Sequence, residues 1–403
     1  MKRIVVLGGG FAGLIAAVGA ARKLAELNIP RSDIGVSLVN RDAYHAIRVR
    51  LYEADLSDVR VPLADVLEPI GVELALGDVA GLAPDRHEVG LAGGSTLPYD
   101  RLVLALGSEL VRAEIPGLAE HGFDVDTYSA AAHLGTHLVG LPSRPATAGR
   151  YTALVIGGGL TGVEAAAELG SRLREIAGAA PSRVIVTDRK ARIGEGMGPG
   201  ARDVIAEAFA SLGVETRPGV SVASIDAGGA VLSTGERIDA DTVIWCGGMR
   251  AHPLAAALPG ARDRFGRIPV DRFMKVEGCS DIYAAGDIAT VPLDAAHASV
   301  MSCQHARPMG RIAGHNVVCD LVGAVPIPLE IGYYVTCLDL GAWGAVYTQG
   351  WDRQVQTKGE TAKKTKMMIN RERIYPPRSR DPAEILAAAA PVTQAPPIRP
   401  ANK

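Results

Sequence analysis

Residues 4–13 of the chain read IVVLGGGFAG, the most informative stretch of the sequence for the fold. A short apolar run is followed by glycines at Gly8, Gly10 and Gly13, and then by an alanine-rich helical stretch. In such a turn the first glycine permits the tight bend and the second lets the backbone approach a pyrophosphate. The third lets the helix pack closely on the strand. Free N–H groups at the start of the helix attract the anion. The stretch therefore predicts a dinucleotide-binding βαβ unit.

The same pattern occurs a second time in the middle of the chain. Residues 154–162 read LVIGGGLTG, with glycines at Gly157, Gly159 and Gly162. A helical stretch and another apolar run follow, as in the first copy. Two copies in matching contexts are a much stronger signal than one, because isolated glycine turns are common. We therefore expect two dinucleotide sites.

The ends of the second strands indicate how each unit would bind a ribose. An acid at this position accepts hydrogen bonds from the ribose hydroxyls and disfavours a 2′-phosphate. The first unit has Asn40 at this position, followed by Arg41. The amide oxygen of Asn40 can still accept a hydrogen bond, but it lacks the negative charge of the usual acid. The second unit has the expected acid, Asp188, which favours NADH over NADPH. Arg189 and Lys190 follow it and argue for NADPH, so the preference rests on the acid alone.

The chain is predicted to be an α/β protein with two Rossmann-like doubly wound domains and a small antiparallel C-terminal domain. Unalternating apolar runs suit parallel strands that are covered on both faces. The composition of the chain changes after Val325. Aromatic residues lie among glycines over residues 332–353 and indicate antiparallel strands there. The tail after Pro377 is rich in Pro and Ala, and we expect it to be loose at its end. One short helix is predicted from Asp381 to Ala390.

Composition excludes several classes of function. Of the 403 residues, 42 are Lys or Arg and 44 are Asp or Glu, a balance that gives no electrostatic support for binding nucleic acid. The five cysteines form no CxxC motif and none precedes Cys246, so we expect neither a disulfide scaffold nor a metal site. No apolar stretch is long enough to span a membrane, and the expected location is the cytoplasm.

Further segments resemble the two-dinucleotide-binding flavoproteins, and among them the type II NADH dehydrogenases. Residues 281–287 (DIYAAGD) resemble the second FAD signature, and residues 99–108 (YDRLVLALGS) resemble the segment between the two folds. Residues 242–253 (TVIWCGGMRAHP) resemble the end of the NADH domain, and residues 44–53 resemble a loop near the flavin. The resemblance runs from residue 2 to about residue 377. It adds three residues to the FAD site: Gly107, Gly286 and Asp287.

This resemblance implies a domain plan and an activity. FAD would be bound by residues 1–118 and 265–325, and NADH by residues 119–264. Residues 326–403 would serve dimerisation or shape the acceptor pocket, and we expect a homodimer. Hydride would pass from NADH to FAD, and electrons then to a quinone or another small organic acceptor. Two alternatives stay open: a flavin-dependent dehydrogenase of a small metabolite, and a slowly reacting NADH sensor.

Two candidate catalytic residues have alternative interpretations. Glu164 matches an acid that the resembled family places beside the nicotinamide, but it can equally be an ordinary helix carboxylate. His45 can relay a proton to the acceptor or act as a structural hydrogen-bond partner. Cysteines that related disulfide reductases and sulfide:quinone oxidoreductases need are missing from the first half of the chain, which disfavours both classes.

The acceptor motif departs from the family at residues 299–304 (SVMSCQ). Val300 stands where the first glutamine is usual, whereas Gln304 retains the second, and valine cannot hydrogen-bond a quinone carbonyl. Cys303 would lie close to the flavin, as a redox thiol or as inert packing. His297 and His305 flank the motif, and either is a candidate proton donor.

Basic residues add two further hypotheses. Arg48 and Arg50 stand where uncharged residues are usual near the flavin, and they would suit an anionic or polar acceptor. The alternative, which we slightly favour, is that both are solvated surface arginines. The basic stretch from Lys358 to Lys366 is interpreted as a solvated face, with at most weak peripheral contact to a membrane.

Overall fold

The computed structural model describes residues 1–397. The strands, numbered along the chain, are β1 Lys2–Leu7, β2 Ile34–Asn40, β3 Tyr44–Ala46, β4 Arg60–Pro62, β5 Glu73–Leu76, β6 Val79–Ala83, β7 Glu88–Leu91, β8 Thr96–Pro98, β9 Arg101–Leu104, β10 Ser108–Leu110, β11 Gly122–Phe123, β12 Thr152–Ile156, β13 Arg183–Asp188, β14 Val214–Pro218, β15 Val222–Asp226, β16 Gly229–Leu232, β17 Arg237–Asp239, β18 Thr242–Trp245, β19 Met249–Ala251, β20 Ile268–Pro269, β21 Ile282–Ala284, β22 Ala289–Thr290, β23 Val335–Asp339, β24 Ala345–Gln349 and β25 Gln354–Gly359. The helices are α1 Phe11–Glu26, α2 Leu63–Leu67, α3 Leu118–His121, α4 Tyr128–Gly140, α5 Leu160–Ala177, α6 Gly198–Leu212, α7 Cys303–Val322, α8 Glu360–Met368 and α9 Pro382–Ala388.

The first parallel sheet is built from two distant parts of the chain. Its strand order is β21-β9-β1-β2-β5, and every neighbouring pair is parallel. β21 therefore returns to the sheet long after the other four strands have formed it. The last four residues of β1 are buried, as expected for a central strand covered on both faces.

The second parallel sheet repeats this plan with the order β11-β18-β12-β13-β14. β12 lies at its centre and all five of its residues are buried. Helices α5 and α6 pack on the sheet and share its hydrophobic core. Because the carboxyl ends of parallel strands meet at one edge, both glycine turns open at the edges where ligands bind in such sheets. The predicted α/β class with two Rossmann-like sheets is confirmed.

The C-terminal part contains the predicted antiparallel strands. β23, β24 and β25 form a three-stranded antiparallel sheet, followed by α8 and a π-helical turn, Ile369–Arg373. The short helix predicted from Asp381 to Ala390 is present as α9, and it is packed rather than free, because Ile385 and Ala389 are buried in the first core and α9 contacts α1. The end of the tail that we expected to be loose, residues 398–403, lies outside the described part of the chain.

Helices α1 and α7 are in close contact along their length. A methyl group on Gly310 would come 2.3 Å from the carbonyl oxygen of Ala12, and one on Gly314 would come 2.1 Å from that of Ala16. Only glycine fits at these two points of close approach. The contacts advance together along both helices, so the helices run parallel and their N-termini lie at the same end of the sheet. Among residues 1–397 no helix is long and apolar enough to cross a membrane.

Candidate functional site

The first glycine turn has the geometry of a phosphate cradle. Gly8 has φ +98°, and a Cβ there would lie 2.5 Å from the carbonyl oxygen of Ala105. A Cβ on Gly13 would lie 1.8 Å from the carbonyl oxygen of Gly8, so the helix packs directly on the turn. Gly10 occupies the N-cap position of α1 but has no side chain to hydrogen-bond the N–H groups of the helix. A Cβ added at Gly10 would meet no atom within 4 Å. The first N–H groups of α1 are therefore available to an anion.

The second glycine turn repeats these features. Gly157 has φ +115° and approaches the carbonyl oxygen of Cys246, to which a Cβ would be 2.5 Å distant. A Cβ on Gly162 would lie 1.8 Å from the carbonyl oxygen of Gly157. Gly159 caps α5 with no side-chain hydrogen bond and with open space beside it. In both sheets, therefore, a glycine turn leads from the central strand into a helix whose first N–H groups have no side-chain cap.

The residues at the strand ends hold these turns in place. Asn40 Oδ1 accepts a hydrogen bond from the Gly9 N–H at 2.9 Å. Asp188 Oδ2 accepts one from the Gly158 N–H at 2.6 Å, and its other oxygen accepts from the Lys190 backbone N–H at 2.8 Å. Arg41 is exposed beside Asn40. Asn40 ends β2 and Asp188 ends β13, so the two residues occupy equivalent positions beside their glycine turns. In dinucleotide-binding folds the ribose lies next to this position.

Asp287 lies where the return segment meets the first sheet. Ser108 donates a hydrogen bond to Asp287 Oδ2 at 2.7 Å, and burial raises the pKa of this carboxyl. Gly286 has φ +79° and packs against Ala12 at the start of α1, whereas Gly107, with φ +74°, faces open space. Asp287, Gly286 and Gly107 therefore gather at the same edge as the first cradle.

The two arginines near this edge are ion-paired rather than solvated. Arg48 donates to Asp126 through Nε at 3.0 Å and to Ser108 through Nη1 at 3.0 Å. Arg50 is only 2% exposed, and its guanidinium pairs with Glu53 at 2.8 Å. The interpretation of Arg50 as a surface arginine is therefore wrong. Because both cations are neutralised by carboxylates, neither leaves a free positive charge for an acceptor.

Glu164 forms a buried ion pair instead of lying on a solvated helix face. Lys366 Nζ donates to Glu164 Oε1 at 2.7 Å, and the Asp339 N–H donates to the same oxygen at 3.0 Å. Burial raises the pKa of Glu164, and the Lys366 cation opposes that rise. Lys366 contradicts the interpretation of residues 358–366 as a solvated face, since it is 6% exposed.

A signal for Lys366 was present in the sequence of α8. Ala362, Thr365 and Lys366 are the buried residues of this helix, at the spacing of one helix face. Lys363 pairs with Asp339 next to the Glu164 pair.

His45 supports the first glycine turn. Its Nδ1 lies 2.8 Å from the carbonyl oxygen of Gly9, and its ring meets Phe11 edge-on at 5.0 Å. A carbonyl can only accept, so Nδ1 carries the proton. Burial lowers the pKa of His45 to about 4, which keeps the ring neutral at neutral pH. This geometry fits the structural alternative better than a proton relay.

The acceptor motif lies at the N-terminus of α7. Gln304 Oε1 accepts a hydrogen bond from the Val335 N–H at 3.1 Å, while its Nε2 is buried without a partner. Burial raises the pKa of the Cys303 thiol, which opposes formation of a thiolate. An unpartnered buried donor is costly, so Gln304 Nε2 is positioned to bind a group that enters the site.

The flanking histidines are both engaged. His305 Nδ1 accepts a hydrogen bond from the Val300 N–H at 2.9 Å, and burial lowers its pKa to about 4. His297 pairs with Asp294 at 2.9 Å and stacks on Trp351 at 4.2 Å between ring centres. Because His305 Nδ1 accepts, Nε2 carries the proton, and this atom is buried without a partner among the described residues. Among residues 1–397 no group of His, Cys, Asp or Glu side chains is arranged to hold a metal ion.

Two glycine cradles on two parallel sheets, closed by an antiparallel C-terminal unit, define a two-dinucleotide-binding oxidoreductase. The chain belongs to the pyridine nucleotide-disulphide oxidoreductase family, whose model matches residues 2–310. Over 398 residues it is 51% identical to an NADH dehydrogenase-like protein of Mycobacterium tuberculosis, covering 98% of this chain and 99% of that relative.

More distant relatives agree with this assignment. The chain is 26% identical to a type II NADH:quinone oxidoreductase of Staphylococcus saprophyticus, with 86% and 89% of the two chains covered. The structure of NDH2 from Plasmodium falciparum in complex with NADH shares the fold, with a TM-score of 0.74 at 12% identity and 96% and 97% coverage. The resemblance to NADH dehydrogenases that the motifs indicated is confirmed.

Proposed function

We propose that the protein is an FAD-dependent oxidoreductase that takes hydride from NADH and delivers electrons to a quinone or another small organic acceptor. The observation that carries this proposal is the pair of uncapped helix N-termini at Gly10 and Gly159, each beside open space and a polar strand-end residue. One cradle would serve a structural redox cofactor and the other an exchangeable donor.

The residues at both cradles fit the two cofactors. FAD would be held by the α1 cradle, Asn40 and the region of Asp287, and NADH by the α5 cradle and Asp188. Bound FAD would accept hydride from NADH and release the electrons to the acceptor. The Gln304 Nε2, a buried donor without a partner among the described residues, supports an occupant on the acceptor side.

The chain's own groups would position these partners. Glu164 keeps its charge balanced by Lys366, so the junction of α5 with the C-terminal sheet carries no net charge from this pair. His45, neutral and bonded to Gly9, would hold the first cradle in shape. Gln304 Nε2 would donate to a carbonyl oxygen of the acceptor, whereas Val300 offers no polar side-chain atom.

The domain plan and setting are part of the proposal. Residues 1–118 with 265–325 would bind FAD, residues 119–264 would bind NADH, and residues 326–403 would shape the acceptor pocket of a homodimer in the cytoplasm. β21 supports the discontinuous first unit, since it pairs with β9.

Anaerobic mixing of the FAD-loaded protein with NADH tests this function. We expect rapid bleaching of the flavin absorbance, followed by recovery on addition of a soluble quinone. A flavin that stays oxidised with both NADH and NADPH would overturn the proposal and favour a metabolite as the reductant. Bleaching with NADH but no turnover with any quinone would instead favour the sensor alternative.

A further inference from the structure

Three arginines cluster where α7 meets the C-terminal segments: Arg307, Arg311 and Arg373. Arg311 is 3% exposed, its Nε donates to the Ala388 carbonyl oxygen at 3.2 Å, and its Nη1 is buried without a partner. Arg307 donates to the carbonyl oxygen of Arg373. Arg373 in turn donates to the Tyr333 hydroxyl at 3.0 Å. The cluster is thus held by neutral acceptors.

The cluster lacks counter-charges within the described chain. Among residues 1–397 no carboxylate lies within 4.0 Å of the guanidinium nitrogens of Arg307, Arg311 or Arg373. Burial and repulsion from Arg307 lower the pKa of Arg311 to about 10, so Arg311 remains a cation at neutral pH. Arg50, by contrast, is buried with Glu53. A buried cation without a counter-ion is costly, so Arg311, with Arg307 and Arg373 half-buried beside it, is suited to an incoming anion.

The cluster continues directly from the acceptor motif. Cys303, Arg307 and Arg311 are spaced four residues apart on α7 and therefore share one face of the helix. Burial raises the pKa of the Cys303 thiol, and the positive charge of Arg307, one turn further along α7, opposes that rise. Burial lowers the pKa of His45, and the charge of Arg307 lowers it further. Arg373 reaches the same place from the π-helical turn, an irregularity often found at functional sites.

We propose that Arg307, Arg311 and Arg373, with the Tyr333 hydroxyl, form a subsite for a carboxylate or phosphate group on the electron acceptor. This inference rests on the proposed function, since it assigns the acceptor to the α7 side of the flavin. Gln304 would hold a carbonyl of the acceptor, and the arginines one and two turns further along α7 would hold its anionic end. Planar guanidinium groups suit this task because they bind carboxylate and phosphate oxygens in pairs.

The test uses two acceptors that share the same quinone ring and differ in the charge of the side chain: a 1,4-naphthoquinone with a propanoate side chain, and its uncharged methyl ester. Isothermal titration calorimetry on the FAD-loaded protein without NADH measures the dissociation constant of each. The variants are Arg307→Gln and Arg373→Gln. Arg86→Gln is the matched control, because it removes the same charge from a side chain that is 72% exposed.

We expect the propanoate to bind more tightly than the ester. Each cluster variant should weaken the propanoate about tenfold or more, the cost of a charge-assisted hydrogen bond, and change the ester less than about twofold. Inorganic phosphate should compete with the propanoate, which would show that the subsite recognises the anion itself. Arg86→Gln should change neither dissociation constant. FAD content should match the unmodified protein in every variant.

Several results would overturn the inference. Equal weakening of both naphthoquinones would make the arginines structural, and loss of FAD would assign them to the cofactor's phosphates. Absence of any preference for the propanoate, with loss of binding to phosphatidylglycerol vesicles in the same variants, would assign them to a lipid surface. Because calorimetry needs no NADH, failure of NADH to bleach the flavin would contradict the proposed function and leave this result standing.

Discussion

Lys366 Nζ lies 2.7 Å from Glu164 Oε1, and the pair joins α5 of the second sheet to α8 of the C-terminal unit. Both side chains are buried, at 6% and 8% exposure. The Asp339 N–H donates to the same carboxylate oxygen, so a strand of the antiparallel sheet takes part as well. The C-terminal unit is therefore held to the second parallel sheet by an ion pair as well as by packing.

Removing one member of this pair should destabilise the protein strongly. Glu164→Gln leaves the Lys366 ammonium buried without its counter-charge, and Lys366→Met does the same to the Glu164 carboxylate. Each variant should therefore lower the free energy of unfolding by about 3 kcal/mol. The double variant should lose less than the sum of the two single losses. Urea unfolding of the four proteins measures this cycle. Additive losses would show that the two side chains do not interact in solution.

Asp188 should control the choice of nicotinamide cofactor. Asp188→Asn keeps an oxygen to accept the Gly158 N–H but removes the charge, so the ratio of kcat/KM for NADH to that for NADPH should fall about tenfold. Asn40→Ser, the matched change in the first cradle, should lower FAD retention without altering that ratio. An unchanged ratio in Asp188→Asn would show that the carboxylate does not contact the ribose.

The two cap glycines should separate the two cofactor sites. Gly10 and Gly159 have φ of −75° and −78°, and a Cβ on either meets nothing within 4 Å, so alanine is compatible with the fold at both positions. The methyl group would instead occupy the cradle. Gly159→Ala should raise the KM for NADH about tenfold or more with FAD content intact, whereas Gly10→Ala should reduce FAD content. Flavin absorbance and steady-state rates report the two effects, and loss of FAD from Gly159→Ala would reverse the assignment.

Buried histidines should make the fold sensitive to acid. His137 is 5% exposed, its Nε2 lies 2.9 Å from Thr242 Oγ1, and burial lowers its pKa to about 4. Below pH 6.5 His137 is protonated in the unfolded state but stays neutral in the folded state. The contribution of His137 to the free energy of unfolding is therefore complete above pH 6.5 and is lost as the pH falls towards 4. His137 should account for about 2 kcal/mol of the loss between pH 7 and pH 5.

His137→Asn should remove that share. Urea unfolding at pH 7 and pH 5 should show a smaller drop in the free energy of unfolding for the variant than for the unmodified protein. His87→Asn is a suitable control, since the His87 side chain is 52% exposed. An equal acid-induced loss in His137→Asn would contradict the assignment.

The sequence predicted the cradles well because much of their geometry lies within each turn. Gly13 and Gly162 approach the carbonyl oxygens of Gly8 and Gly157 in their own turns, and Gly8 and Gly157 have positive φ; only the approaches of Gly8 to Ala105 and of Gly157 to Cys246 join distant segments. The glycine spacing therefore predicts most of this feature, including the class of the fold.

Burial between distant segments could not be predicted in the same way. Lys366 meets a partner 202 residues away, and Arg50 meets Tyr375, 325 residues away. A lysine or arginine in a sequence is normally predicted to be exposed to solvent. Only the packed structure shows that these two side chains are buried. The packing of Ile385 against α1 is a similar case, because a short alanine-rich helix gives little sign of what it covers.

The glycine contacts between α1 and α7 have a consequence for how this chain can vary. The seven-residue spacing of Cys303 from Gly310, and of Arg307 from Gly314, places the glycines that contact α1 on the same side of α7 as the start of the row Cys303, Arg307 and Arg311. Inserting a single residue between Arg307 and Gly310 would turn everything beyond it by about 100° relative to everything before it. The backbone contact and the cationic row would then fall out of phase together. A single-residue insertion or deletion in this part of α7 is therefore incompatible with both features, whereas a substitution leaves their phase unchanged.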